Sequence, residues 1–571
     1  TGKVNKLRQH ISKPYLEIHP DDALLRNIKD GDVVEIDNLR GSVRVPAKIT
    51  DDIKKGVVFL PMHWGKILQK DLARANNLTS TLVDPMSKEP DFKYSTVEVR
   101  RYEKPLEKMI VVGAGAAAYR FLHTYRSLNQ TDEIHVFSKE KDPFYNRVLL
   151  PEYVNSTLSW EMLQKFKAGE FESLNVSLHL ENEIVMINRT QQFVVDSHGK
   201  KHMYDKLILA TGSRANVPKE APVHLPGVFT MRMKKDADEL KKFLKNDGHI
   251  AIIGGGLLGL ELAASLREME VNISIIQLGS RLMERQIDNL GGQMLLDFVE
   301  EKNIRVFIND QVQSVGQALE RQLSVKLRSG KELLVDALVY AVGTRPNIEF
   351  ATEAGLETAR GIVVNDHLQT SDPNIFAAGE IAEHRGTLLG ITSAAEKQAD
   401  ILARFIYGDV QSTYEGAVPM NILKFSDLDF CSIGMAEVPV NSEGYDEILF
   451  IDQSMRYYKK CIVKGDRLVG AVLMGDKSEF IEFKALIEDQ IELSDRRMQL
   501  LRSGKSAAPV LGKLVCSCNH VGAGNLEKLV DEGCHTLHAL CQASGAGLGC
   551  GSCKPELQRM LAEVDALKMK A

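Results

Sequence analysis

A chain of 571 residues is too long for one hydrophobic core, so its length alone implies several domains. With 44% hydrophobic residues, 26% charged residues and a formal net charge of −6, it has no basic excess to offer a nucleic acid. No apolar run reaches the roughly 18 residues of a membrane helix, and the opening Thr1-Gly2-Lys3-Val4-Asn5-Lys6 has no signal-peptide core. These features predict a cytoplasmic protein without membrane or nucleic-acid partners. The missing initial Met reads as a fragment or processed piece of a longer chain. None of the eight cysteines precedes Cys431 and six fall between Cys516 and Cys553, a crowding that in the cytosol points to metal more than to disulfides.

In chain order, Tyr15-Leu16-Glu17-Ile18, Asp32-Val33-Val34-Glu35-Ile36, Ser42-Val43-Arg44-Val45 and Val57-Val58-Phe59-Leu60 read as short strands of a small β-barrel over 1–103. The charged stretch Arg100 to Pro105 links this barrel to the next domain. The segments His19-Pro20-Asp21-Asp22-Ala23, Lys29-Asp30-Gly31-Asp32, Gly56 to Trp64, Ala75-Asn76-Asn77-Leu78-Thr79 and Asp84-Pro85 resemble the molybdopterin-dinucleotide-binding domain of molybdenum oxidoreductases. Thr1-Gly2-Lys3-Val4 is similar to a pterin-contacting segment of nitrate reductases. The resemblance implies that Thr1, Gly2, Lys3, His63, Trp64, Asn77 and Lys93 contact a molybdopterin guanine dinucleotide in the intact enzyme. Residue physics alone favours a packing pair at the barrel edge for His63-Trp64.

From about 106 to 408 apolar strands alternate with helical stretches, the pattern of parallel α/β sheets. The strand Met109-Ile110-Val111-Val112 runs into Gly113-Ala114-Gly115-Ala116-Ala117-Ala118 and a helix. That order supplies a tight turn, a bare backbone against pyrophosphate and a helix N-terminus. A mere tight turn is the competing reading of this motif. After the next strand, Ile134 to Phe137, Glu140 is the carboxylate expected to accept the ribose hydroxyls. The distant Asn374-Ile375-Phe376-Ala377-Ala378-Gly379-Glu380 resembles the element under the flavin chain in two-dinucleotide flavoproteins. With His384-Arg385-Gly386 it is similar to the flavin domain of assimilatory nitrite and nitrate reductases, although Glu380 stands where Asp is usual. Tyr145-Asn146-Arg147 resembles the loop over the isoalloxazine, which makes Arg147 an expected flavin contact. Leu209 to Gly212 and Ala341 to Pro346 resemble the crossings between the two domains. FAD is thus expected on 106–228 and 348–408, held by Gly113, Gly115, Ala118, Glu140, Arg147, Gly379 and Glu380.

The second fingerprint, Gly254-Gly255-Gly256-Leu257-Leu258-Gly259, lies between the strand Ile250 to Ile253 and a helix, which predicts an NAD(P) domain over 229–347. Its cofactor contacts are expected to be Gly254, Gly256, Gly259 and Gln277. Gln277 stands where an acid would mark NADH, so the choice of nicotinamide is open, and Arg281 is a candidate for a 2′-phosphate or a plain surface arginine. Glu261 could face the nicotinamide or simply favour the helix N-terminus. With no cysteine before Cys431, thiol chemistry at the flavin is excluded.

Residues 412–501 read as a small α+β domain resembling the one after the flavin fold in the nitrite reductase family, a candidate dimer or docking surface, with a hairpin-like turn at Lys464-Gly465-Asp466-Arg467. A flexible linker, Ser503 to Pro509, precedes a small helical module over 513–571. Its Cys516-Ser517-Cys518 and Cys550-Gly551-Ser552-Cys553 suit either tetrahedral zinc or an iron–sulfur cluster by spacing. The glycines from Gly545 to Gly549 let backbone amides approach sulfur, and the module resembles the bacterioferritin-associated ferredoxin type of [2Fe-2S] domain. That implies Cys516, Cys518, Cys550 and Cys553 as ligands. Cys534 and Cys541 are expected on helices as packed thiols.

The predicted fold class is therefore multidomain α/β: an N-terminal β-barrel, two Rossmann-like FAD/NAD(P) domains, a small α+β domain and a small helical [2Fe-2S] domain. The resemblances together imply the C-terminal part of a bacterial assimilatory NAD(P)H-dependent nitrate reductase. Electrons would pass from NAD(P)H through FAD and [2Fe-2S] to a molybdenum site that reduces nitrate to nitrite, on domains fused upstream or on a separate chain. A possible homodimer is part of this reading. Two alternatives stand beside it: a free-standing NAD(P)H:acceptor reductase serving a nitrite or nitrate reductase subunit, and a non-enzymatic redox-sensing scaffold.

Overall fold

Apolar runs with no polar alternation, such as Met109 to Val112 and Ile250 to Ile252, are suited to strands covered on both faces, and both lie at the centre of all-parallel sheets. A computed structural model describes residues 14–61, 74–80, 84–87, 94–102, 105–166, 169–244, 247–319, 322–494, 497 and 510–568. The chain divides into two units, 1–106 and 107–571.

The first unit holds a five-stranded sheet in the order Val58–Phe59, Leu16–Ile18, Gly41–Ile49, Val33–Asn38 and Glu98–Arg101. The predicted strands are all present, with Gly41–Ile49 longer than expected. Alternation along that strand sends Val43, Val45 and Ala47 into the core with Leu16, Ile18 and Val34.

The second unit contains two parallel sheets of five strands. One runs Ile375–Ala377, Lys206–Leu209, Lys108–Val112, Glu133–Phe137 and Val176–His179, so its edge strand arrives from far along the sequence. The other runs Val228–Thr230, Ala337–Tyr340, His249–Ile253, Asn272–Ile276 and Ile304–Phe307. The two crossings between them pair with each other as an antiparallel ribbon, Ser213–Ala215 against Thr344–Pro346. The helices Ala116–Leu128 and Thr392–Tyr407 pack together on the first sheet, tied by the Arg120 fork to Asp400 at 2.7 Å.

Residues 420–488 form a five-stranded antiparallel sheet covered by the helix Phe480–Glu488. Its other face, through Phe430, Tyr458 and Met474, joins the core of the second parallel sheet. The expected hairpin is present: Lys464 pairs with Arg467 across Gly465 and Asp466, both at positive φ, the geometry of a tight two-residue loop. The cysteine module consists of a short ribbon, Leu514–Cys516 with Val521–Gly522, and the helices Ala523–Asp531, Leu537–Ser544 and Lys554–Lys568. Among the described residues no helix is long and apolar enough to cross a membrane.

Candidate flavin, nicotinamide and cluster sites

The first glycine loop turns where the parallel strand Lys108–Val112 must bend towards its helix. Gly113 sits at φ +107°, and a Cβ there would lie 2.1 Å from the Ala210 carbonyl oxygen. A Cβ on Gly115 would meet no atom within 4 Å, so its backbone faces open space at the N-terminus of the helix Ala116–Leu128. Ala118 is buried behind it. Bare backbone thus leaves an open cradle at the helix N-terminus, where the partial positive charge of the helix favours an anion.

Two acids bound the cavity that opens there. Glu140 Oε2 accepts from the Tyr145 hydroxyl at 2.7 Å, and Arg147 forms an ion pair with the same carboxylate at 2.5 Å. The Tyr145 hydroxyl also accepts from Arg147 at 2.6 Å and from the Lys234 amide at 3.1 Å. Glu380 accepts from Ser213 Oγ at 2.6 Å and pairs with Arg232. Gly379, at φ +87°, donates its amide to the buried Gln398 at 2.7 Å. Gly113, Gly115, Glu140, Arg147, Gly379 and Glu380 line one cavity of about 1040 Å³, with Ala118 packed beneath.

The second loop repeats the design. Gly254 is at φ +109° with a Cβ position 2.6 Å from the Ala341 oxygen, Gly256 faces open space, and a Cβ on Gly259 would come within 1.9 Å of the Gly254 oxygen. Those three positions provide turn, approach and helix packing. Gln277 Oε1 accepts from the Gly255 amide at 2.7 Å. Arg281 is committed elsewhere: it donates to the carbonyls of Ile287 and Glu284, to Asn289 and to Glu437 at 2.6 Å. The carboxylate of Glu284 lies beside Gly279 and Gln277 instead.

Glu261, on the helix Leu257–Arg267, is buried and lines the same cavity as Glu140, Arg147 and Glu380. It accepts from the Lys424 amide at 3.1 Å. Burial pushes its carboxyl up to about 7, against the pull of the Lys424 charge.

In the cysteine module the thiols are free, Cys518 Sγ and Cys550 Sγ are 3.2 Å apart, and the Cys516 thiol is hydrogen-bonded with those of Cys518 and Cys553. Among the described residues no three His, Cys, Asp or Glu side chains are spread as a metal cage; these four thiols are drawn into one chain of sulfur contacts. Contact with Cys553 together with burial pushes Cys516 up to about 11. A Cβ on Gly549 would lie 3.0 Å from Cys518 Cβ, and one on Gly547 3.0 Å from Cys541 Sγ, so the glycines do admit backbone close to sulfur. The four thiols, with Ser552 Oγ 2.9 Å from Cys550 Sγ, are the soft donor set that a [2Fe-2S] cluster takes. Cys541 lies on the helix Leu537–Ser544 as expected; Cys534 does not lie on a helix but in the turn after Ala523–Asp531, where Gly533 at positive φ ends that helix.

Sequence reasoning missed how close these sites are. Gly551 and Ser552, from the loop carrying Cys550 and Cys553, and Lys554 and Pro555, from the first turn of the helix that follows, line the cavity that the first glycine loop opens. Lys165 also lines this cavity, and burial lowers its pKa. Of the expected pterin contacts, Asn77 lies in the short turn Ala75–Asn77, its side chain 3.4 Å from the Ser42 oxygen. Thr1, Gly2, Lys3, His63, Trp64 and Lys93 lie outside the described residues.

Comparison with known proteins finds four family models: pyridine nucleotide-disulphide oxidoreductase over 107–399, molybdopterin dinucleotide binding domain over 1–96, rubredoxin NAD+ reductase C-terminal domain over 419–491 and BFD-like [2Fe-2S] binding domain over 514–563. The nitrite reductase [NAD(P)H] of Bacillus subtilis is 32% identical over 80% of this chain and 57% of its own length. The assimilatory nitrate reductase electron transfer subunit of the same organism is 29% identical over 80% of this chain and 59% of its own. The chain thus spans a little over half the length of these relatives. The crystal structure of NADH:rubredoxin oxidoreductase from Clostridium acetobutylicum aligns with TM-score 0.58 and 28% identity, over 70% of this chain and 99% of that one. The matched models bring FAD and NAD(P)H, a [2Fe-2S] cluster and a molybdopterin dinucleotide as cofactors. Twin glycine loops on twin parallel sheets, matched over residues 107–399, place this chain in the pyridine nucleotide-disulphide oxidoreductase family, as an NAD(P)H-dependent flavoprotein oxidoreductase that also carries a [2Fe-2S] module.

Proposed function

We propose that the chain is the electron-transfer portion of an assimilatory nitrate reductase, moving electrons from NAD(P)H to a [2Fe-2S] cluster and on towards a molybdenum site that reduces nitrate to nitrite. The observation that carries this reading is the single cavity lined both by the Gly113–Ala117 loop and by the Cys550–Cys553 loop. FAD, when bound, supplies the conversion of a two-electron hydride into single electrons. The chain's own residues then have distinct tasks. Gly113 and Gly115 leave backbone open to the pyrophosphate, with Ala118 packing the helix beneath. Glu140 is the ribose acceptor, positioned by Tyr145 and Arg147, and Arg147 and Glu380 border the flavin's ring side. Gly254, Gly256, Gly259 and Gln277 hold the nicotinamide dinucleotide, and Cys516, Cys518, Cys550 and Cys553 hold the cluster.

The molybdenum step rests on the match of residues 1–96 to a molybdopterin dinucleotide binding domain. In this reading the five-stranded sheet of the first unit belongs to a barrel that holds the pterin dinucleotide through Asn77 and the contacts at Thr1–Lys3, His63, Trp64 and Lys93. The domains are then 1–103, 106–228 with 348–408, 229–347, 412–501 and 513–571. The molybdenum-bearing domains, fused or separate, are the partner.

Anaerobic titration of the chain, reconstituted with FAD and iron, with NADH and separately NADPH tests this. Flavin bleaching followed by the EPR signal of a reduced [2Fe-2S] cluster is expected. Bleaching without that signal would sink the cluster assignment, and flavin that neither nicotinamide reduces would leave only a scaffold.

A further inference from the structure

The strand Met420–Ile422 ends with Ile422 packed against the cysteine module. At the module end, Ile422 Cδ1 and Cys518 Cβ both lie 3.0 Å from the point where a Cβ on Gly549 would sit. Two residues on, the Lys424 amide donates to Glu261, which lines the cavity. The Lys424 side chain therefore belongs to the layer between the cluster cysteines and the flavin cavity.

Its ammonium nitrogen is buried and has no hydrogen-bond partner, and Glu152 Oε2 is buried without one as well. Other buried lysines of this unit are ion-paired directly: Lys459 with Glu479 at 2.7 Å, Lys460 with Asp288 at 3.0 Å and Lys477 with Asp429 at 2.9 Å. The charges that act most strongly on Lys424 are those of Glu261 and Glu152, followed by Cys550 and Cys518. Those negative neighbours keep it protonated in spite of burial. An isolated buried charge costs several kcal/mol, so the position makes sense where anionic charge is spread around it. A thiolate-ligated [2Fe-2S] cluster is anionic in both oxidation states and gains one more negative charge on reduction. A fixed positive charge nearby favours the reduced state.

We propose that Lys424 is a positioning charge for electron transfer: its buried, unpartnered ammonium raises the reduction potential of the cluster held by Cys516, Cys518, Cys550 and Cys553, and so directs electrons from the flavin to the cluster. Glu261 and Glu152 oppose it from the cavity side and limit how far the potential rises. The inference rests on the reading of those four cysteines as cluster ligands.

The test is an EPR-monitored redox titration of the full chain, reconstituted with FAD, iron and sulfide, at about pH 8.5 so that Glu261 is ionised. In Lys424→Met and Lys424→Gln the ratio of reduced to oxidised cluster at a fixed potential should fall about tenfold, a shift of about 59 mV for one electron. Lys424→Arg should keep the wild-type value. Glu261→Gln, which removes an opposing negative charge, should move the potential the other way. An unmoved potential in a Met or Gln variant that retains iron overturns the proposal. If neither variant retains iron, Glu261→Gln decides, and an unmoved or lowered potential there overturns it. A wild-type chain with no [2Fe-2S] signal would instead sink the ligand assignment itself.

Discussion

The ammonium of Lys554 lies 3.0 Å from Glu396 Oε2, joining the residue after Cys553 to the helix Thr392–Tyr407 behind the cavity. A Cβ on Gly551 would come within 3.3 Å of the same carboxylate oxygen, so the cysteine loop and the helix meet closely on both sides of this pair. The contact fixes how the cysteine loop is presented to the cavity, and electron transfer depends on that approach.

Reversing one charge should loosen it. Lys554→Glu is expected to slow flavin-to-cluster electron transfer severalfold in stopped-flow absorbance, and Lys554→Glu with Glu396→Lys should recover much of the rate. Stability should change by no more than about 1 kcal/mol, the range for a partly exposed ion pair. An unchanged rate in the single variant would show that the pair does not position the loop.

The two glycines of the first loop should fail in different ways. Gly113→Ala forces a side chain onto the Ala210 oxygen at positive φ and should destabilise the fold, read as a lower Tm without added FAD. Gly115→Ala meets no protein atom, so it should fold normally and instead weaken FAD retention, measured by flavin release on dilution.

NADH should be the preferred donor. Arg281 is occupied by Glu437 and backbone carbonyls, and Glu284 brings a negative charge to the end of the strand Asn272–Ile276, where a 2′-phosphate would lie. A kcat/KM at least tenfold higher with NADH is expected, with Glu284→Gln narrowing the gap. Arg281→Ala should lower Tm and leave the NADH preference in place.

Glu261 makes stability depend on pH. Its folded value of about 7 lies above the ordinary 4.5, so the folded state holds a proton that the unfolded chain releases. Stability from this group is complete below about 4.5, declines as pH rises towards 7 and levels off above it. Glu261→Gln never ionises, so its Tm advantage over the wild type should grow across that window. A constant Tm difference from pH 4.5 to 7.5 would contradict the assignment.

The glycine loops and the cysteine pairs were legible in the sequence because each depends on local spacing: a strand, a turn without side chains and a helix, or thiols two and three residues apart. Strand runs such as Met109 to Val112 were legible for the same reason, since apolar continuity marks a strand covered on both faces. Lys424 was not, because nothing in Asn421-Ile422-Leu423-Lys424 distinguishes it from a solvated lysine; its partner Glu261 is 163 residues away. The engagement of Arg281 by Glu437 was hidden likewise, as was the meeting of Lys554 with Glu396. Cys534 illustrates a smaller failure: the helix ends at Asp531, three residues before it, and Gly533 at positive φ turns the chain away, a boundary that apolar patterning blurs.

The ribbon of Ser213–Ala215 against Thr344–Pro346 means that the chain enters and leaves the second parallel sheet at adjacent, hydrogen-bonded points. The inserted segment is therefore a loop in the topological sense, however large. Its excision would leave two ends already side by side, which a short bridging turn could close, at the loss of the contacts that Lys234 and Arg232 make with Tyr145 and Glu380. The neck is not the body's sole tie, since Lys234 reaches Tyr145, Arg232 reaches Glu380 and Glu261 reaches Lys424 from it, so a nicotinamide module of different donor preference grafted at residues 215 and 344 has to bring those contacts with it.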